Sequence, residues 1–127
     1  MNPSTAPRIL IVDDNELNLE MATFLLSRAG MEVASAPDGA RALEQVQSFA
    51  PDLILMDMQM PGADGMTLTQ QLRSQPRARP LAIIAFTAYA MTGDREKFLA
   101  AGCDGYIAKP INVASFADEV RALLPRT

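Results

Sequence analysis

The chain has 127 residues, with 49% hydrophobic and 20% charged residues, a net charge of −4 and a pI of about 4.7. These values fit a single globular domain and argue against general nucleic-acid binding, which needs a basic surface. The absence of histidine excludes His-based zinc sites, Ser/His/Asp triads and phosphorylation on histidine. A single cysteine excludes an internal disulfide, so we expect a reducing compartment, the cytoplasm.

The amino-terminal segment MNPSTAP lacks the apolar core of a signal peptide. We expect residues 1–7 to be a flexible terminus that precedes one domain at residues 8–124. The longest nearly unbroken apolar stretch, LAIIAFTAYAM, is too short to cross a bilayer. The sequence therefore predicts no membrane span.

The first part of the chain predicts two strand–helix units. RILIV, residues 8–12, is rich in branched residues and predicts a buried strand. Residues 16–29 predict a helix, and Met31–Ala36 predicts a poorer strand near an edge of the sheet. Asp38 is placed to cap a second helix over residues 39–49. The predicted inward face of the first helix consists of Leu17, Met21, Phe24 and Leu25.

Three more units follow. DLILMD, residues 52–57, predicts the third strand, and after a Pro/Gly loop Asp64 is placed to cap a short helix. LAIIAFT, residues 81–87, predicts the fourth strand, which a fourth helix follows. GYIA, residues 105–108, predicts the fifth strand, and the last helix is expected to begin near Asn112. The predicted inward residues of that helix are Val113, Phe116, Val120 and Leu124.

Five strand–helix units with continuous apolar strands predict a parallel sheet covered by helices on both faces. We expect an α/β fold of the flavodoxin-like, doubly wound (βα)5 type, with the common strand order 2-1-3-4-5. Right-handed crossovers place the carboxyl ends of all five strands on one edge, and in this order the first and third strands are neighbours.

Polar residues follow the strands at that edge. Asp13 and Asp14 follow the first strand, and Asp57 ends the third. Thr87 ends the fourth strand and Lys109 follows the fifth. We expect these side chains to converge, because doubly wound sheets bind ligands at the carboxyl ends of their strands. Three carboxylates repel one another unless a cation such as Mg²⁺ lies among them, and Lys109 could pair with Asp57.

Each of these residues also has an ordinary structural interpretation. Asp13 and Asp14 can cap the first helix, and Asp57 can belong to a turn. Thr87 can be a β-branched strand residue, and Lys109 can be a solvated lysine. Their joint position at the strand ends favours a metal and phosphate site instead.

Four segments, VDDNELN, LILMDMQMPGADG, AFTAYAM and GYIAKPI, occur in this order at the ends of predicted strands. With them the chain, from Arg8 to Leu124, resembles the receiver domain of two-component response regulators. MTGDREKFLAAGCDGYIAKPI is similar to single-domain regulators of the DivK type and to the receivers of hybrid sensor kinases. The resemblance implies a phosphorylation-switched module rather than an enzyme, with weak intrinsic autophosphorylation and autodephosphorylation and with output through protein contacts.

The resemblance also implies roles for individual residues. Asp57 would be the nucleophile that accepts a phosphoryl group from a histidine kinase or a histidine phosphotransfer protein. Asp14 and Asp57 would bind Mg²⁺, Gln59 would add a backbone carbonyl, and Asp13 would act through water.

The remaining implied roles concern the switch and the partners. Lys109 and Thr87 would hold phosphate oxygens, and Tyr106 would reorient together with Thr87. A cis peptide bond is implied between Lys109 and Pro110, although this state is a minority one even for X–Pro bonds. The implied partners are the phosphodonor and a downstream protein target, with the chain itself a monomer or a weak dimer.

The first helix has a second apolar line, off its predicted inward face. That line consists of Leu19, Ala22 and Leu26. It is either buried by the two-sided sheet or a docking patch for a phosphodonor helix bundle, and the sequence leaves both open. A docking patch there would lie near the predicted Asp57 pocket, beside Met60, Pro61 and Ile111.

Other functions remain as alternatives. An aspartyl-phosphate phosphatase of the haloacid dehalogenase type needs an acid two residues after its nucleophile, where this chain has Gln59. A flavodoxin-like cofactor binder needs a phosphate loop after the first strand, where DDNE would repel a phosphate. A degenerate receiver would lack Asp57 or Lys109. The sequence does not separate a single-domain regulator from a receiver fragment of a hybrid sensor kinase.

Overall fold

The computed structural model describes residues 6–60, 63–75, 81–88 and 92–125, so most of the expected flexible terminus lies outside the described residues. Within these ranges the chain forms seven strands and five helices. In chain order they are β1 (Arg8–Val12), α1 (Glu16–Arg28), β2 (Glu32–Ala36), α2 (Gly39–Phe49), β3 (Leu53–Asp57), β4 (Gln59–Met60), β5 (Ala63–Asp64), α3 (Gly65–Ser74), β6 (Ala82–Thr87), α4 (Thr92–Ala101), β7 (Gly105–Ala108) and α5 (Phe116–Ala122).

Five of the strands form one parallel sheet in the order β2-β1-β3-β6-β7. This arrangement confirms the predicted order 2-1-3-4-5 of the five longer strands. The remaining strands, β4 and β5, form a small antiparallel hairpin directly after β3. Strands of two residues have no alternation pattern, so the sequence does not predict this hairpin.

Helices cover both faces of the sheet. The face that carries Leu10 and Val12 of β1 packs against α2, α3 and α4, and the face that carries Ile9 and Ile11 packs against α1 and α5. All five residues of the central strand β3 are buried. The continuous apolar strands therefore reflect burial on both sides, as predicted for a doubly wound sheet.

The helix starts follow from local capping. Asn15 Oδ1 accepts a hydrogen bond from Asn18 N–H at 3.0 Å at the start of α1. Asp38 Oδ1 accepts one from Arg41 N–H at 2.8 Å, which confirms Asp38 as the cap of α2. The cap expected from the Asp64 side chain lies outside the described side chains. Across the described part of the chain, no helix has the length and apolarity needed to cross a membrane.

Helix α1 presents to the sheet only part of the face that its spacing favours, and Leu25 packs against the core as predicted. Leu17 and Phe24 are 64% and 59% exposed, so their predicted inward position is wrong. Ala22 and Leu26 are fully buried, and the prediction of Ala22 as a docking residue is therefore also wrong. Leu19 is partly buried against the same core. Apolar residues occur on two sides of this helix, and the 3.6-residue period cannot choose between them.

The last helix begins later than its apolar spacing predicts. Before α5 the chain makes a turn in which Asn112 Oδ1 accepts a hydrogen bond from Ala114 N–H at 3.1 Å. Val113 lies in this turn and is 61% exposed, so its predicted inward position is wrong. Phe116 and Val120 are fully buried, as predicted.

Candidate functional site

Asp13 is the first residue after β1 and is fully buried at the carboxyl edge of the sheet. Its backbone N–H donates to the Ala36 carbonyl at 3.1 Å, which fixes it beside the end of β2. Its Oδ1 accepts a hydrogen bond from Asn15 N–H at 2.9 Å, and its Oδ2 accepts a longer one from Asn18 Nδ2 at 3.4 Å. The start of α1 therefore holds this carboxylate in one orientation.

Asp57 is the last residue of β3 and is only 4% exposed. Because β3 lies between β1 and β6, Asp57 sits at the centre of the sheet edge. One carboxylate oxygen from each of Asp13, Asp14 and Asp57 lies within 4.8 Å of the others, and we call these three residues the acidic group. Asp14 is its exposed member, so the group is accessible from solvent on that side.

Lys109 follows β7 and reaches into the acidic group. Its Nζ lies 2.9 Å from Asp13 Oδ2 and 3.6 Å from Asp57 Oδ2. Its backbone N–H donates to the Thr87 carbonyl at 2.8 Å, and its Nζ lies 4.9 Å from the centre of the Phe86 ring. The expected pairing with Asp57 is present, but the shorter contact is with Asp13.

The donor set of the acidic group fits a divalent cation. The acidic group has three carboxylates, and the ammonium of Lys109 contacts two of them, so the fully ionised cluster carries excess negative charge. That excess is costly because Asp13 and Asp57 are buried. Clustered carboxylate oxygens suit Mg²⁺, a hard cation that binds through one or two carboxylates and keeps several waters.

Thr87 and Tyr106 belong to β6 and β7, on the opposite side of β3 from Asp13. Thr87 ends β6 and is fully buried. Tyr106 pairs in register with Ala85 and is partly buried against the core that α2, α3 and α4 cover. The Lys109–Pro110 peptide bond is cis, as the resemblance implies.

The other predicted site residues surround this edge less closely. Gln59 begins β4, two positions after Asp57, and its role as a carbonyl ligand stays a prediction. Ile111 is partly buried against the core that α1 and α5 cover. The predicted docking residue Pro61 lies outside the described residues.

The exposed side of α1 lies beside the edge strand β2. An open groove there is lined by Leu19, Glu20, Thr23, Phe24 and Ser35. Leu17, in the first turns of the same helix, is also largely exposed. The most exposed apolar residues of α1 are therefore Leu17 and Phe24, which the helical spacing placed in the core.

The backbone at Gly65 lies so close to the backbone of Asp57 that a side chain would not fit between them. A Cβ built on Gly65 would lie 2.6 Å from the Asp57 carbonyl oxygen and 2.8 Å from Met58 Cα. Gly65 is the first residue of α3, so the absence of a side chain lets this helix begin against the backbone that carries Asp57. Gly65 is assigned no role from the sequence. The one indication in the sequence is that glycine, a poor helix former, stands at the start of a predicted helix.

Comparison with known proteins identifies the family. Residues 9–121 match the family described as the response regulator receiver domain. The chain belongs to this family. The polar-differentiation response regulator DivK of Brucella anthropi is 39% identical over 116 residues, which cover 91% of this chain and 94% of that protein.

Solved structures of receivers have the same fold. The chemotaxis protein CheY4 of Vibrio cholerae superposes with a TM-score of 0.88 at 28% identity, over 94% of this chain and 100% of that one. A CheY-like receiver domain protein of Methanospirillum hungatei superposes with a TM-score of 0.81 at 29% identity, over 93% of each chain. The predicted fold and the predicted receiver function are thereby confirmed, and neither a phosphatase nor a cofactor binder is favoured.

Proposed function

We propose that this receiver accepts a phosphoryl group on Asp57 from a histidine kinase or a histidine phosphotransfer protein. The observation that carries the proposal is the convergence of Asp57 with Asp13, Asp14 and Lys109 at the centre of the sheet edge. The module acts as a phosphoacceptor, and its own autophosphorylation and autodephosphorylation are weak. Its single cysteine, Cys103, is free and buried, which fits a reducing compartment such as the cytoplasm.

In the proposed transfer, a carboxylate oxygen of Asp57 attacks the phosphorus in line with the leaving nitrogen. A P–O bond to Asp57 forms while the P–N bond to the donor histidine breaks, and the released imidazole nitrogen takes up a proton. An ionised carboxylate needs no general base to become a nucleophile. The chain therefore contributes position and charge, which are the main sources of catalysis in phosphoryl transfer.

The acidic group would hold Mg²⁺ through Asp14 and Asp57, with the Gln59 carbonyl as a further ligand and Asp13 acting through water. When bound, Mg²⁺ supplies charge neutralisation to the phosphoryl oxygens. The buried Asp13 and Asp57 and the exposed Asp14 support this assignment, because they offer fixed oxygens with access from solvent.

Lys109 and Thr87 would bind the phosphoryl oxygens after transfer. The Lys109 ammonium lies 3.6 Å from Asp57 Oδ2 and needs only a short movement to reach a phosphoryl oxygen. The Thr87 hydroxyl would donate to a second oxygen. We propose that Tyr106 follows Thr87 and so alters the surface of α4, β7 and α5, where a downstream protein binds.

The phosphodonor would dock on the exposed side of α1. Leu17 and Phe24 provide the apolar surface and take the place of the buried Ala22, while the partly buried Leu19 lines the adjoining groove. An exposed apolar surface that begins in the first turn of the helix after Asp14 and extends to Phe24 suits a helical donor whose histidine must reach Asp57.

Labelling with small phosphodonors tests the assignment of Asp57. Incubation with acetyl phosphate or phosphoramidate and Mg²⁺ should add one base-labile phosphate, and EDTA or the Asp57→Asn substitution should abolish it. Asp118→Asn, an exposed acid on α5, is the matched control and should label normally. A full phosphate load on Asp57→Asn would contradict the proposal.

A further inference from the structure

The buried carboxylate of Asp13 has two side-chain donors on a single oxygen. In the described part of the chain, its Oδ1 accepts from Asn15 N–H at 2.9 Å, while Oδ2 contacts Lys109 Nζ at 2.9 Å and Asn18 Nδ2 at 3.4 Å. The contact with Asn18 is long, because N–H···O bonds usually measure about 2.7–3.2 Å. Lys109 therefore provides the main side-chain contact to Asp13 at rest, and Asn18 stands next to it.

Phosphorylation of Asp57 would weaken the contact between Lys109 and Asp13. The phosphoryl group carries up to about two negative charges in place of the single charge of the free Asp57 carboxylate, and the mobile ammonium moves towards them. Asp13 is 0% exposed, so a donor within the site has to replace the ammonium. A buried charged acceptor that loses a donor is strongly destabilised.

Asn18 is positioned to replace the contact that Asp13 loses when Lys109 moves. It lies in the first turn of α1, and its backbone N–H donates to Asn15 Oδ1 at 3.0 Å, which fixes its position relative to Asp13. A small side-chain rotation would shorten the 3.4 Å contact to Asp13 Oδ2. Its amide is neutral, so the phosphoryl group does not draw it away as it draws an ammonium.

We propose that Asn18 is a positioning residue, which takes over the hydrogen bond to Asp13 Oδ2 when Lys109 moves to the phosphoryl group. In this role it keeps the Asp13 carboxylate oriented in the phosphorylated state and reduces the cost of moving Lys109. The inference rests on the proposed phosphorylation of Asp57. Its structural part, that Lys109 and Asn18 share Asp13 Oδ2, does not depend on phosphorylation.

A double-mutant cycle in Mg²⁺-free buffer tests the structural part without any phosphodonor. Lys109→Met removes the ammonium, so Asn18 becomes the remaining side-chain donor to Asp13 Oδ2. Asn18→Ala should then lower the urea midpoint more in the Lys109→Met background than in the parent protein. Ser27→Ala, an exposed change at the other end of α1, should give equal shifts in both. Equal shifts for Asn18→Ala in the two backgrounds would overturn the proposal.

Phosphorylation kinetics test the role in transfer. With phosphoramidate as donor, Asn18→Ala should lower the maximal labelling rate by about tenfold, as expected for one hydrogen bond to a charged group, and should leave the half-saturating donor concentration unchanged. Asn18→Gln, which keeps the amide, should recover part of the rate. Unchanged kinetics, or a change confined to half-saturation, would contradict the role. Absence of labelling in the parent protein would instead refute the phosphorylation of Asp57, and the urea cycle would still stand.

Discussion

Replacement of Gly65 by alanine should destabilise this receiver and slow its phosphorylation, although alanine is the better helix former. In a helix interior, alanine is favoured over glycine by about 0.8–1.0 kcal/mol, and position 65, the first of α3, would gain at most this amount. Propensity alone therefore predicts a gain in stability or no change. In this structure the new Cβ would lie 2.6 Å from the Asp57 carbonyl oxygen, 2.8 Å from Met58 Cα and 2.9 Å from Met58 Sδ.

The magnitude follows from these three contacts. Ordinary contact begins at 3.4 Å, so the start of α3 and the end of β3 must move apart. The Met58 sulfur belongs to a flexible side chain and can turn away, but the Asp57 carbonyl and Met58 Cα are backbone atoms. Overpacking of this kind costs about 1–3 kcal/mol, which exceeds the gain in propensity. Because a misplacement of about 1 Å can cost about 10²-fold in rate, and the required movement is smaller, we expect labelling to slow by about tenfold.

Urea unfolding and the initial rate of labelling by phosphoramidate measure the two effects separately. Gln70→Ala, an exposed change in the same helix, provides the control and should alter neither quantity by much. If Gly65→Ala were at least as stable as the parent and labelled at the same rate, the close approach of α3 to Asp57 would not constrain the site, and the reasoning would be wrong.

Three further changes test other parts of the structure. Phe24→Asp should slow transfer from a phosphorylated histidine phosphotransfer protein and spare labelling by acetyl phosphate; equal loss with both donors would refute docking on α1. Thr87→Val keeps the shape but removes the hydroxyl, so the beryllofluoride form should show smaller chemical-shift changes at Tyr106 and α5 than the parent; equal changes would refute the coupling. Burial raises the pKa of the Cys103 thiol from 9.0 to about 11, so between these pH values the unfolded chain loses the thiol proton and the folded chain keeps it. The free energy of unfolding should therefore fall over this range, and Cys103→Ala should lack that part of the fall. Identical pH profiles for the variant and the parent would refute the raised pKa.

The architecture was predictable because the three central strands of the sheet are buried on both faces. The runs at 8–12, 53–57 and 82–87 are almost wholly apolar, and few alternatives to a covered parallel sheet accommodate three such strands. The meeting of Asp13 with Asp57 was predictable for the same reason, since the order of the sheet makes their strands neighbours. From the local sequence alone, Asp13 would be interpreted as a helix cap and Asp57 as a turn residue.

The remaining features depend on packing that the periodicity of apolar residues does not encode. Helix α1 is apolar on two sides, and only its docking against the sheet shows that Ala22 is buried and Phe24 exposed. The closer contact of Lys109 with Asp13 depends on where the residue after β7 directs a long side chain. The need for glycine at position 65 depends on how near α3 comes to Asp57, a distance between two elements.

Borohydride reduction of the phosphorylated protein shows directly which carboxylate carries the phosphoryl group, because it converts an aspartyl phosphate to homoserine. After labelling with phosphoramidate and reduction, peptide mass mapping should find homoserine at position 57 and unmodified Asp13 and Asp14. Homoserine at position 13 or 14, or phosphate retained on a hydroxyl residue with Asp57 unmodified, would contradict the assignment of Asp57 as the phosphoacceptor.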